Sequence, residues 1–227
     1  MSDPAFTLSG LGRARALLSD FRCMARKLGF WRTVHKLAVS MLRRIVAVVS
    51  PRDAELVLVK DLTKAAYTAG DGRDLGTSGR EQRWRIEPLQ ENHCAALLRM
   101  HEDACSLRQG RRVLSNVRSG YRGFVVNLDG EAIGYFWWID KRIAPQHPHL
   151  VRYEIDLGSD EAYCFQYFIA PDYRGEGLAN DVLASIEAEL HQLGYKRLWG
   201  YVESVNLPAR WLYSVTGWDT VRAIQRR

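Results

Sequence analysis

The sequence has little cysteine and no arrangement that would put cysteine to work. Cys23, Cys94, Cys105 and Cys164 share no spacing suited to a metal, a redox pair or a disulfide framework. The six histidines do not cluster with them, so no metal site is expected. A reducing, cytoplasmic setting is the simplest reading. No apolar run approaches the roughly 20 residues that a membrane-spanning helix needs. The most apolar stretch, around 37–50, is broken by Arg43 and Arg44. That pair lies too far into the chain, and the run after it is too short, for a cleaved export signal. Internal repeats are absent too. What is present is a chain of 227 residues, 47% of them hydrophobic. That suffices for a real core, in one domain with an extension or in one large domain.

Charge separates the two ends. Residues 1–60 hold eleven Lys or Arg against four Asp or Glu, a net of +7, while the rest holds 21 against 22, a net of −1. The basic character therefore belongs to an attached N-terminal segment. Two helices are expected over 9–49. In the second, Trp31, Val34, Ala38, Met41, Leu42, Ile45 and Val49 recur at helical spacing, and Pro51 ends it. A short strand is expected at 55–60. Residues 69–80, rich in Gly, Asp and Ser, read as a linker. Residues 1–80 are thus assigned to a basic helical extension with a short strand and linker, and 81–227 to a catalytic domain.

Beyond the linker the pattern predicts a strand at 84–86, helices at 90–104 and 107–118, and a hairpin of 121–127 with 132–139 across Asp129-Gly130. Strands at 151–157 and 162–169 follow, joined across Gly158-Ser159-Asp160. A helix at 176–193, a strand at 196–203, a short helix at 207–216 and a strand at 218–224 complete the order. Strands interleaved with helices and hairpins imply an α/β (mixed α+β) fold, a mixed sheet with helices on its faces.

The most informative segment joins an apolar strand to a long helix through Arg174-Gly175-Glu176-Gly177-Leu178-Ala179. The first N–H groups of a helix have no internal partners, and the helix dipole favours an anion there. Gly175 and Gly177 clear side chains from the backbone, Arg174 adds a forked cation, and the small Ala179 permits close approach. The loop lacks the Lys-Ser/Thr of a Walker loop and does not fit the dinucleotide fingerprint. A Gly-rich turn without ligand is the bland alternative.

This segment resembles the acyl-CoA-binding motif of the GCN5-related N-acetyltransferases, Arg/Gln-x-x-Gly-x-Gly/Ala, with Arg174, Gly177 and Ala179 at its defined positions. Asn206, Tyr213 and Gly217-Trp218 resemble that family's closing Asn, short helix, Tyr and Gly-aromatic. The resemblance covers roughly 82–227. It implies that acetyl-CoA or another acyl-CoA is the co-substrate. Backbone groups near Phe168 and Ile169 would pair with the pantetheine arm, the amides of Gly175, Glu176, Gly177, Leu178 and Ala179 would hold the pyrophosphate, and Asn206 would bind the arm or cap its helix. Tyr213 matches the tyrosine often assigned as acid to the leaving thiolate.

A base is harder to place. Glu154, Asp156, Glu161 and Glu203 lie on or near strands expected to line the cleft. Glu203, at a strand end beside the expected splay, is the first candidate. Gln166 reads as a pairing residue, Cys164 as a buried core thiol, and Phe136, Trp137, Trp138 and Trp199 as part core, part acceptor wall. His147 and His149 fall in a loop.

The expected reaction is direct transfer of an acetyl or other short acyl group to a primary amine, on a small molecule or a protein. Two other readings stay open: a non-catalytic acyl-CoA sensor, and a transferase using a longer acyl chain or an acyl-carrier-protein donor. The helix at 29–49 would pack on the catalytic domain, lie on an anionic membrane surface, or bind a protein. Nucleic acid is disfavoured because the catalytic part is neutral.

Overall fold

A computed structural model describes residues 54–64 and 84–225, except 105, 144 and 176. The helices expected over 9–49 and the linker at 69–80 lie outside the described residues. The chain divides into two compact units. One contains Gln90–Gly120; the other runs over Arg52–Leu89 and Tyr121–Arg227.

Among the described residues the smaller unit holds a helical hairpin of α1 (Cys94–Asp103) and α2 (Leu107–Arg118). Its turn is clasped by His101, fully buried, whose Nδ1 lies 2.8 Å from the Ser106 hydroxyl. Gly110 packs there because a Cβ would meet the His101 Cβ at 3.1 Å.

Among the described residues the larger unit holds seven strands: β1 (Ala54–Asp61), β2 (Trp84–Pro88), β3 (Arg122–Leu128), β4 (Glu131–Ile139), β5 (Glu161–Ile169), β6 (Arg197–Glu203) and β7 (Asp219–Gln225). Between them come α3 (Pro148–Arg152), α4 (Leu178–Gln192) and α5 (Leu207–Val215). The sheet order is β2-β3-β4-β5-β6-β1-β7. Every neighbouring pair is antiparallel except β5 with β6. The β3–β4 hairpin turns as expected, with positive φ at both Asp129 (52°) and Gly130 (85°). On one sheet face, Val182, Leu183, Ile186 and Leu190 of α4 meet Leu58, Phe136, Trp138, Ala162 and Leu198. Each such Val, Leu, Ile or Phe side chain contributes roughly 1.5–3 kcal/mol when fully buried.

Two sequence expectations are altered. The strand expected at 55–60 is β1, and it is no appendage: it pairs with β6 on one side and β7 on the other. Residues 151–157 do not form a strand. Pro148 sits in the first turn of α3, His147 caps that helix by accepting from the His149 N–H, and Glu154 follows at φ 49°. Local capping overrides the strand tendency of Val151, Tyr153 and Ile155.

Candidate active site

Strands β5 and β6 pair only over Glu161–Arg197, Ala162–Leu198 and Tyr163–Trp199. Beyond that both continue without pairing to each other. A bulge accompanies the parting. The β4–β5 register shifts between Tyr135 and Trp137, and Gln166 has φ 53°, a costly conformation for a residue with a side chain. Gln166 is therefore a bulge residue and not the pairing residue the pattern suggested. Past it, Phe168 and Ile169 pair with Tyr135 and Gly134. Gly134 has no room for a Cβ, which would lie 2.5 Å from the Phe168 carbonyl oxygen.

β5 leads through one turn of 3₁₀ helix at Pro171–Tyr173 into the glycine loop. Gly175 has φ 116° and Gly177 φ 83°, both in the range that glycine adopts without strain. Gly177 is the N-cap of α4, and no side chain caps that end. A Cβ at either glycine would meet nothing within 4 Å, so the backbone here lies open. The Leu178 N–H donates to the Gly175 carbonyl at 3.1 Å, and the Tyr167 hydroxyl donates to the Ala179 carbonyl at 2.8 Å. The second bond ties the helix start to the bulge. Glu176 lies outside the described residues. Arg174 folds back: its Nε donates to the Ile169 carbonyl at 2.8 Å, and its guanidinium lies 5.4 Å from the Phe168 ring centroid. Burial pulls the Arg174 pKa below the usual guanidinium value. One donor of its fork thus closes the loop onto β5.

Tyr213 projects from α5 and packs edge-on against Trp218, with centroids 5.2 Å apart. Burial first, then the nearby Cys164, Tyr201 and Glu187, push its phenol pKa well up, so it is protonated at neutral pH. Those neighbours place the phenol beside both parting strands. Asn206 caps α5, its side-chain oxygen accepting from the Ala209 N–H at 3.3 Å. Glu203 ends β6 opposite Glu55 of β1.

Three further acids make ion pairs. Glu154 pairs with Arg222 at 3.0 Å, Glu161 with Arg197 at 2.6 Å, and the exposed Asp156 lies 3.5 Å from Lys141. Glu161 also accepts from the Trp199 indole at 2.9 Å. Phe136, Trp137 and Trp138 are buried core residues. Cys164 is buried, and burial raises its thiol pKa. Sequence reading did not anticipate the Glu187 carboxylate, which accepts from the Trp218 indole at 2.6 Å. No sequence signal links two residues so far apart. His147 and His149, expected in a loop, instead begin α3. Among the described residues, no group of three metal-binding side chains occurs.

A parallel strand pair parting beside a glycine-lined helix start defines an α/β protein suited to hold a phosphate-bearing ligand at the carboxyl ends of its strands. Residues 82–218 match the Acetyltransferase (GNAT) family, and the chain belongs to that family. The family is one of acetyltransferases.

Solved structures are similar to this chain. A GCN5-related glucosamine N-acetyltransferase region of a fungal multi-domain β-N-acetylglucosaminidase aligns at TM-score 0.53 and 15% identity, over 82% of this chain and 22% of that one. A GNAT-family acetyltransferase from Novosphingobium aromaticivorans aligns at 0.43 and 17%, over 76% and 62%. A Staphylococcus epidermidis protein of unknown function aligns at 0.50 and 10%, over 75% and 58%. This chain therefore spans about three fifths of the last two. No curated protein matches the sequence.

Proposed function

We propose that the protein transfers an acetyl or other short acyl group from acyl-CoA to a primary amine by direct attack. The observation that carries this is the parting of β5 from β6 directly ahead of the Gly175–Gly177 loop. In this reading the pantetheine arm lies along Phe168 and Ile169. The pyrophosphate meets the backbone of Gly175, Glu176, Gly177, Leu178 and Ala179, with Arg174 supporting the loop through the Ile169 carbonyl and turning its remaining donors to phosphate. Asn206 orients α5 by capping it, and Tyr213 offers its phenol hydrogen to the sulfur as the C–S bond breaks. The acceptor amine is on a small molecule or a protein.

Calorimetry with acetyl-CoA tests the reading. The native protein is expected to bind saturably, and Arg174→Ala with Gly177→Glu is expected to abolish binding while circular dichroism stays native. A folded native protein that takes up no acetyl-CoA overturns it.

A further inference from the structure

His149 stands where β5 and β6 part, on the sheet face opposite α4. The last β5–β6 pair is Tyr163 with Trp199. Across the opening beyond it, the His149 ring meets one aromatic ring on each strand: Tyr201 of β6 at a centroid distance of 5.1 Å and Phe165 of β5 at 6.3 Å. Its Nδ1 lies 3.0 Å from the Tyr163 hydroxyl. The ring is thus seated over the parting itself, where the thioester of a carrier lying between the strands would come.

The seat is built rather than incidental. The His149 N–H donates to His147 Nδ1 at 3.2 Å, and the two rings meet edge to face at 4.9 Å. Tyr153 packs on the other side at 5.6 Å, and its hydroxyl donates to the buried Glu55 carboxylate at 3.2 Å. Arg152 pairs with the same carboxylate at 2.6 Å. Tyr163, Phe165, Tyr153 and His147 are buried, whereas His149 and Tyr201 are half-buried and reach the surface. The imidazole and the Tyr201 phenol are thus the groups of this cluster that an amine arriving from solvent can reach. Tyr213 approaches the same strands from α5, close enough to Tyr163 and Tyr201 to influence their titration or be influenced by it.

We infer that His149 is the general base of the acyl transfer, an inference that rests on the acyl-CoA reading above. In the tautomer that donates Nδ1–H to the Tyr163 oxygen, the lone pair sits on Nε2. The acceptor nitrogen forms its bond to the thioester carbonyl carbon, and the C–S bond breaks. The proton lost by the amine goes to Nε2, and the thiolate takes a proton from Tyr213 or from water. The products are the amide and the free thiol, with no oxidant or reductant needed. Tyr163 is then a positioning residue that fixes the tautomer. The titratable and charged groups around the imidazole are His147, Tyr153 and Arg152 from its own segment, Tyr163 from β5, Tyr201 and, two residues further, Glu203 from β6, and Glu55 from β1. Glu55 is already bound to Arg152 and Tyr153, and an imidazole is the side-chain type here suited to take up and release a proton near neutrality.

The test measures thiol release from acetyl-CoA on the full chain between pH 5.5 and 9. The acceptors are tyramine, spermidine, a lysine peptide and water alone, and acetyl-CoA affinity is measured in parallel. For the native protein, kcat is expected to rise through a single ionisation near the imidazole range. His149→Gln is expected to lower kcat about 100-fold or more and to erase that ionisation, with acetyl-CoA affinity within twofold of native. Tyr163→Phe is expected to keep the ionisation but shift its midpoint. Intact acetyl-CoA binding with an unchanged profile in His149→Gln overturns the base assignment alone, as does loss of the ionisation in Glu203→Gln, which would move the role to Glu203. Absence of thiol release with every acceptor also overturns it. Failure of the native protein to bind acetyl-CoA overturns the acyl-CoA reading and this inference with it.

Discussion

At the scale of single residues, Tyr213 and Gly134 separate chemistry from architecture. The raised phenol pKa makes Tyr213 a poor source of full proton transfer before the C–S bond breaks, but a persistent hydrogen-bond donor to the sulfur as charge develops there. Removing only that hydroxyl should lower turnover while leaving ground-state binding alone. Tyr213→Phe is expected to reduce kcat by about 10²-fold or more, the lower end of typical acid–base contributions, with unchanged acetyl-CoA affinity. Steady-state kinetics beside calorimetry checks this; equal losses in affinity and kcat would instead mean that the ring's packing had been disturbed. Gly134→Ala makes the opposite kind of change. Its methyl group would press on the Phe168 carbonyl, with the Ile169 side chain 2.7 Å away, so β4 and β5 must move apart. A loss of about 1–3 kcal/mol in urea unfolding is expected, together with weaker acetyl-CoA binding, because the displaced strand is the one that carries Phe168 and Ile169. Arg174, the loop glycines, Asn206 and Tyr213 were all legible in the sequence as residue types at set spacings. That Arg174 reaches back to Ile169 was not, because it depends on backbone geometry that spacing does not encode; the cap made by Asn206 is one of the two roles its residue type allowed.

At the scale of elements, two buried polar ties hold helices in place. Glu187 on α4 accepts from the Trp218 indole and lies 3.8 Å from Lys60 Nζ on β1; Lys60 also donates to the Thr216 carbonyl. One carboxylate therefore joins α4, β1 and the segment after α5 that carries Tyr213. Breaking such a tie leaves a buried ammonium and an indole N–H without their partner. Glu187→Ala is expected to cost about 3–5 kcal/mol, and a Glu187→Ala/Lys60→Met double variant to recover part of it, both read from chemical denaturation. In the α1–α2 hairpin, burial lowers the His101 pKa to about 4. The unfolded chain, with a histidine near 6.5, therefore binds more protons between about pH 6.5 and 4. Stability should fall as pH drops through that window and level off below it. Urea unfolding at pH 7.0 and 4.5 checks the sign, and His101→Asn should flatten this part of the pH dependence. Most elements were readable because their periods are clean: Asp129-Gly130 for the hairpin, and Leu178, Val182, Leu183, Ile186 and Leu190 for α4. Residues 151–157 were misread because alternating apolar residues outweighed the Pro148 start and the His147 cap. The bulge at Gln166 left no mark in the pattern.

At the scale of the whole molecule, the strand that the sequence set apart completes the sheet. ELVLVK lies before the Gly-rich stretch at 69–80 and ahead of the family match at 82–218, so composition alone assigns it to the basic extension. Strand pairing is not local, and nothing in a six-residue apolar run names its partners. In the fold, β1 meets β6 over seven residue pairs, from Glu55–Glu203 to Asp61–Arg197, and supplies the pairing of β7 among the described residues. Val57 and Leu62 are fully buried, and Leu58 nearly so. Without β1, β6 would become an exposed edge at the strand that borders the cleft, β7 would lose its partner, and Glu187 would lose Lys60. A chain starting at residue 65 keeps the whole family match and every residue of the glycine loop, yet it should not fold. It is expected to be recovered as aggregate, since an unpaired β6 edge is a template for pairing between chains. Adding a synthetic peptide of residues 52–64 during refolding should restore part of the soluble yield. Acetyl-CoA should then raise the melting temperature of the restored complex, because a ligand that binds only the folded state stabilises it by mass action. A soluble 65–227 chain that binds acetyl-CoA as tightly as the full protein would show that β1 adds stability to a sheet already able to form the site without it.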